Sequence, residues 1–330
     1  MTPTAPTSVQ IGIGEGLVLP PGAFRLLLAF AVVISHISRL DVGHLAVLLF
    51  FYLSGYWVAL IWQAKFGRGS IVRFYAARYL RIAPLYLLAV WAAALLRGQP
   101  IHVENLTLFG VASTHRDPTG VAWSLDIELQ FYVLVPFLVA AIAASPVWLS
   151  AILLLAISAS GYWLAAHTGM ATIAIYLPAF ALGTLTYVKA WRPSLRTAHI
   201  SLAGFVAMTA LTALTPFLDK STPDPFNQDI WGLIWMLPLV PYVARSLTVR
   251  STSLDRDLGN LSYPLYLVHF TAITLALSRF GDTSAVKLAA VAVSVGVAAA
   301  VYFLIDRQVD SWRVRLTETP KKLAPEATLL

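Results

Sequence analysis

Residues 44–64 read HLAVLLFFYLSGYWVALIWQA, a run without a single Asp, Glu, Lys or Arg. A helix needs about 20 apolar residues to cross the hydrocarbon core of a bilayer, so this stretch is expected to span a membrane. The same pattern recurs on both sides of it, near 23–38, 82–96, 121–143, 147–166, 170–190, 199–218, 230–248, 259–280 and 286–305. Ten spans imply an all-α, polytopic integral membrane bundle. The third is short, but the amphipathic RFYAARYLR just before it extends the helix into the interface. Pro84, Pro136, Pro178, Pro238, Pro241 and Pro264 fall within or beside spans, where they are expected to kink the helices. Three regions follow: an N-terminal cytoplasmic segment (1–22), the transmembrane domain (23–306) and a short basic cytoplasmic tail (307–330) with no soluble domain after it.

Composition points the same way. Of 330 residues, 58% are hydrophobic and 12% charged, against about 45–50% and about 25% in soluble domains. A chain so poor in polar residues cannot cover a soluble core. The absence of cysteine excludes disulfides, thiolate metal sites and a thiol nucleophile, and no metal is expected. The formal charge of +7 fits basic residues gathered in cytoplasmic loops, so the expected partner is the lipid bilayer and not nucleic acid. Residues 1–22 hold no Lys or Arg; lacking the basic start of a cleavable signal, the first apolar stretch is expected to be retained.

Lys and Arg bookkeeping orients the spans. With both termini in the cytoplasm, 17 of the 23 basic residues fall inside and 6 outside, and the outer loop DKSTPDPFNQD (219–229) is acidic. That is the positive-inside pattern.

Ionisable groups at membrane depth are costly, which makes each a functional hypothesis. Arg25 and His36 on the first span are 11 positions apart, three turns plus about 20°, so they share one helix face some ~16 Å apart along the axis. For either alone, a snorkelling arginine or a carbonyl-bonded histidine is the simpler reading; the aligned pair favours function. Lys65 to Arg81 holds five positive charges, Arg78 and Arg81 being i,i+3 neighbours whose guanidinium forks suit phosphate oxygens. On the fourth span Ser124, Glu128 and Tyr132 follow i,i+4 spacing, whereas Asp126 lies 200° from Glu128, so only one carboxylate readily faces the interior. On the ninth span Ser262, Tyr263, Tyr266 and His269 form a polar group. A histidine supported by a carboxylate makes a general base, and an arginine cluster on the cytosolic side can hold a phosphorylated donor. The segment 97–120 is too polar to span and long for a connector, which suggests an acceptor-binding lid. Asn105 begins an Asn-Leu-Thr sequon, read as chance.

In order along the chain stand Arg25 and His36 with ten residues between them, FFYLSGY (50–56), RYLRIAPLY (78–86), WSLDIELQFYVLVP (123–136) and LSYPLYLVH (261–269). With this succession the chain resembles the acyltransferase-3 family of polytopic membrane O-acyltransferases over nearly its whole length. It departs in PPGAF before Arg25 and in Leu26 after it. The resemblance implies ten spans, cytoplasmic termini, a multi-pass place in the plasma membrane (the bacterial inner membrane), and transfer of an acyl group, usually acetyl, from acyl-CoA to a saccharide or glycan hydroxyl. It also implies possible contact with glycan biosynthesis machinery and leaves the oligomeric state open. His36 then looks like the catalytic histidine and Glu128 the essential acid. Arg25, Arg78 and Arg81 look like acyl-CoA ligands, with Ser54, Ser124, Asp126, Tyr132, Tyr266 and His269 as substrate-contacting or supporting residues. The rival reading, a secondary transporter of a glycan precursor or small anion, explains spans and buried charges but predicts a repeat between halves that the sequence lacks.

Overall fold

The computed structural model describes residues 17–67, 69–213 and 228–317, and among them every regular element is helical. The first element, α1 (Pro21–Ile37), opens with proline at its first turn. Two of its free N–H groups, on Gly22 and Ala23, donate to the Asp255 carboxylate at 3.1 and 2.7 Å. A carboxylate there satisfies donors that a helix start leaves unpaired and complements the helix dipole. A Cβ on Gly22 would lie 1.7 Å from the Asp255 carbonyl oxygen, so only glycine permits this approach.

The stretch 44–64 falls in α2 (Gly43–Ile61), which continues through a π-helical turn, Trp62–Phe66. Next come α3 (Ile71–Arg97), then two short helices, α4 (Val103–Thr107) and α5 (Val111–Thr114), and then α6 (Trp123–Ala144), α7 (Val147–Thr168) and α8 (Ile173–Val188). The remainder is α9 (Leu195–Ala213), α10 (Gln228–Met236), α11 (Val240–Ser246), α12 (Ser253–Phe280), α13 (Ser284–Val301), a second π-helical turn (Tyr302–Asp306) and α14 (Arg307–Thr317). Each apolar stretch picked out in the sequence thus contains helix. Six are long and apolar enough to cross a membrane: Gly43–Phe66, Ile71–Arg97, Trp123–Ala144, Val147–Thr168, Ser253–Phe280 and Ser284–Thr317. Shorter apolar helices cover Pro21–Ile37, Ile173–Val188 and Ile230–Ser246. The acidic loop 219–229, apart from Gln228 and Asp229 at the start of α10, and the residues after 317 lie outside the described residues.

The prolines do not act alike. Pro84, Pro136, Pro178 and Pro264 sit inside unbroken helices. Pro238 falls in a 3-10 turn, Leu237–Leu239, that separates α10 from α11, and its carbonyl accepts from the Ser201 hydroxyl of α9. The amphipathic stretch 73–81 is continuous with the span behind it, as one 27-residue helix.

α2 is the central post. Gly55 and Gly183 let it cross α8 backbone to backbone: a Cβ on either would lie 2.0 or 1.9 Å from a carbonyl oxygen of the other helix. Thr184 then donates to the Gly55 carbonyl at 3.2 Å. Buried Leu48, Phe51, Phe180 and Phe131 fill the space between α2, α6 and α8, with Phe180 stacked between the Phe51 and Phe131 rings. On the other flank α1 packs along α12, and α12 along α13. Large apolar side chains such as Leu95, Leu155 and Leu288 point outward, an expensive arrangement in water and the natural one in lipid. The stretch after 306, expected to be a tail, is not one throughout: α14 folds back against α3.

Candidate active site

Helices α1, α2, α3, α6, α12 and α14 surround a cavity of about 480 Å³. One end lies where α1 and α12 begin, beside Asp310 and Arg313 of α14; the other stops at Phe50, Ser124 and Tyr266. Most of the polar residues singled out in the sequence line it: Arg25, Ser54, Arg78, Arg81, Ser124, Glu128, Tyr132 and Tyr266. They come from five helices and up to 241 positions apart (25 to 266).

The arginines divide into two kinds. Arg81 donates to Asp306 at 3.0 Å and lies over the Tyr263 ring at 5.5 Å. Arg313 pairs with Asp310 at 2.7 Å. Arg25 and Arg78 have no hydrogen-bond or ion-pair partner among the described residues, and Arg78 is only 8% exposed with its Nε bonded to nothing. Burying a guanidinium without a bonded partner costs several kcal/mol by order of magnitude.

Glu128 faces this pair. Its Oε1 accepts from Ser54 at 2.7 Å and from Tyr132 at 2.8 Å. The first contact ties α6 to α2; the second runs one turn along α6, as the i,i+4 stripe requires. Both donors sit on one oxygen, so the carboxylate is fixed in orientation. Asp126, 200° around the helix, points elsewhere: it is fully buried and accepts from the Ala112 amide at 2.9 Å and from the Gln130 side chain at 2.9 Å. Gln130 in turn accepts from the Ile173 amide at 2.9 Å. Asp126 therefore anchors α5 and the start of α8; it does not line the cavity.

The same segment, 97–120, is folded throughout. Asp117 accepts from the Thr119 and Ala122 amides, and Arg97 bonds the Pro118 carbonyl. The Asn105 side chain is fully buried and donates to the Arg116 carbonyl, so its sequon is occupied by folding. The segment ends against Phe270, whose ring contacts Gly120 and lies 5.3 Å from the Arg97 guanidinium.

His36 is placed at the last turn of α1, exposed, and it does not line the cavity. Its ring meets the rings of His269 at 5.2 Å and Phe270 at 4.9 Å, both on α12. Arg25 also faces α12, near Gly259 and Tyr263, so the shared helix face holds. Support of the histidine by the Glu128 carboxylate is not seen: Glu128 Oε1 accepts from Ser54 and Tyr132. The reason is geometric, since three turns of α1 separate His36 from Arg25 and only Arg25 lines the cavity. Between the two stands Tyr266, bonded to Ser124 at 2.7 Å and to the Val121 carbonyl at 3.0 Å, with its ring 5.9 Å from His269.

Sequence reasoning missed Asp306, Asp255 and Arg313. Asp306 ends an apolar run of the last span, which is a signal for an intramembrane partner; the π-helical turn that aims it at Arg81 carries none.

A family model described as an acyltransferase domain matches residues 22–305. No curated protein and no solved structure matches the chain.

Proposed function

Since this chain belongs to the acyltransferase-3 family of membrane acyltransferases, we propose that it moves an acyl group, acetyl foremost, from acyl-CoA to a hydroxyl of a saccharide or glycan. The reading rests on one observation above others: two arginines that no hydrogen bond or ion-pair contact holds among the described residues, Arg25 and Arg78, share a cavity with an oriented carboxylate, Glu128. Guanidinium forks match phosphate oxygens, and the donor carries phosphates at one end and a thioester at the end of a flexible arm.

In this reading ten spans cross the plasma membrane, both termini face the cytoplasm, and the cavity opens there. The donor enters between α1, α12 and α14, its phosphates on Arg25 and Arg78, with Arg81 adding charge shared with Asp306. Its arm runs past Glu128, which binds and orients it through the oxygen that Ser54 and Tyr132 leave open. For the thioester to reach His36 the Tyr266 ring turns aside. The acceptor arrives from the opposite face, beneath the folded segment 97–120. His36 removes the hydroxyl proton as the oxygen attacks the acyl carbon; the carbon–sulfur bond breaks and the thiolate takes the proton back.

Membranes carrying the protein are expected to consume acetyl-CoA only with acceptor glycan present, and surface glycans to gain the mass of one acetyl group. His36→Ala, inserted normally, abolishes both. A His36→Ala protein that still acylates its acceptor ends this reading, and uptake of labelled glycan precursor without thioester loss favours a transporter instead.

A further inference from the structure

Where α1 and α12 begin, the mouth of the cavity holds two further arginines, Arg256 of α12 and Arg313 of α14. Arg256, Gly259, Asn260 and Tyr263 follow i, i+3, i+4 and i+7 spacing and all line the cavity, so one face of α12 runs inward from Arg256. Arg256 is exposed; its Nη1 donates to the Ser251 carbonyl at 3.2 Å, and it forms no ion pair among the described residues. That bond steadies the guanidinium and leaves most of its five N–H donors unspent. Arg313 is 8% exposed and fixed by Asp310, one of whose oxygens takes its Nε at 3.1 Å and its Nη2 at 2.7 Å. Its Nη1 makes no bond among the described residues.

The cations stand at two levels. Gly22 and Gly259 touch, since a Cβ on Gly259 would lie 2.9 Å from the Gly22 Cα. From that contact α1 and α12 run the same way, for His36 and His269 meet further along both. Arg25 lies three residues inward of the contact and Arg256 three residues outward, so the two levels are about 9 Å apart along the helices. At the inner level Arg78 is 8% exposed and its Nε is bonded to nothing. Deeper still the wall turns apolar, with Val47, Phe50 and Leu125.

The geometry points to Arg256 and Arg313 as the site of the ribose 3′-phosphate of acyl-CoA, with the diphosphate on Arg25 and Arg78 one level deeper. The assignment rests on the proposed acyl transfer and refines its donor site. In that donor the charges come in the same order. From the thioester outward stand an uncharged arm, then the diphosphate, then the ribose with a phosphate monoester of charge about −2. Guanidinium forks suit its oxygens, and Asp310 holds one fork in place before the ligand arrives. A donor without that group, 3′-dephospho-CoA or a pantetheine arm esterified to a carrier protein, leaves the mouth cations unused and binds more weakly.

The test is calorimetric titration of the purified full-length protein in detergent with CoA and with 3′-dephospho-CoA. The expected Kd for 3′-dephospho-CoA is about 10- to 100-fold higher than for CoA, the loss of one charge-assisted contact, and added salt narrows the gap. Arg256 is exposed, so Arg256→Gln should fold; it raises the Kd for CoA by about tenfold and leaves that for 3′-dephospho-CoA unchanged. Arg313→Gln should act in the same sense. Equal affinity of the wild type for the two ligands overturns the assignment while leaving the donor site standing. So does an Arg256→Gln protein that weakens both ligands equally or keeps the full gap between them. A folded wild type that binds neither ligand removes acyl-CoA as the donor, and with it the proposed acyl transfer.

Discussion

Arg81 and Asp306 form an ion pair of 3.0 Å between α3 and the π-helical turn after α13, with the carboxylate 4% exposed. The second of the two paired arginines thus reaches the cavity with its charge already answered, whereas Arg78, one turn earlier, does not. The two should fail differently. Arg81→Met leaves Asp306 buried and unpaired, at a cost of about 3–5 kcal/mol, read as a large fall in Tm. Arg81→Met with Asp306→Leu recovers most of that stability. A double variant no more stable than the single one shows that the pair does not hold α3 to the last span.

Arg78→Met, in contrast, removes a cation that the fold does not use. Its Tm should stay level or rise, while the KM for acetyl-CoA climbs by about 10- to 100-fold, the loss of one charge-assisted contact of about 1.5–3 kcal/mol. Steady-state kinetics in detergent check it, and an unchanged KM takes Arg78 out of the donor site.

Glu128→Gln keeps an oxygen for Ser54 and Tyr132 to bond but removes the charge opposite Arg25 and Arg78. We expect normal folding and a fall in turnover of about 10²-fold or more. Ser54→Ala, which frees the carboxylate to rotate without discharging it, should fall less. The order of the two turnover numbers is the measurement, and a reversed order means that orientation outweighs charge.

Asp126→Ala strands the Ala112 amide and Gln130, costing about 1–3 kcal/mol. Because both partners secure the segment 97–120 and the start of α8, protease added from the acceptor side should cut that segment faster. The KM for acetyl-CoA should not move. Equal cleavage rates in wild type and variant refute the anchoring role.

The absence of native cysteine makes topology directly readable. Single substitutions Arg116→Cys and Ser194→Cys are expected to differ in sealed cells: an impermeant maleimide labels position 116 and leaves 194 untouched until the membrane is opened. Labelling of both from outside would contradict the inferred orientation.

Much of this molecule was legible in its sequence, because a bilayer imposes long apolar runs and a price on every charge within them. Helical spacing alone separated Glu128 from Asp126 and joined it to Ser124 and Tyr132, which the cavity confirms as one stripe. Spacing also put Arg25 and His36 on one face. It did not locate the end of the cavity, since that depends on where Tyr266 of another helix lands. Nor did it find Asp306, because a π-helical turn rotates that side chain away from where a regular helix would aim it. The 307–317 stretch looked like a tail since a basic, amphipathic sequence has no core of its own; its burial comes from α3 and the π-helical turn before it.

The hydroxyl of Tyr266 is clasped by Ser124 and the Val121 carbonyl, which ties the middle of α12 to the first turn of α6. On the proposed reaction path the donor's arm has to pass this ring, so each turnover would break two hydrogen bonds and make them again, a cost of about 1 kcal/mol apiece.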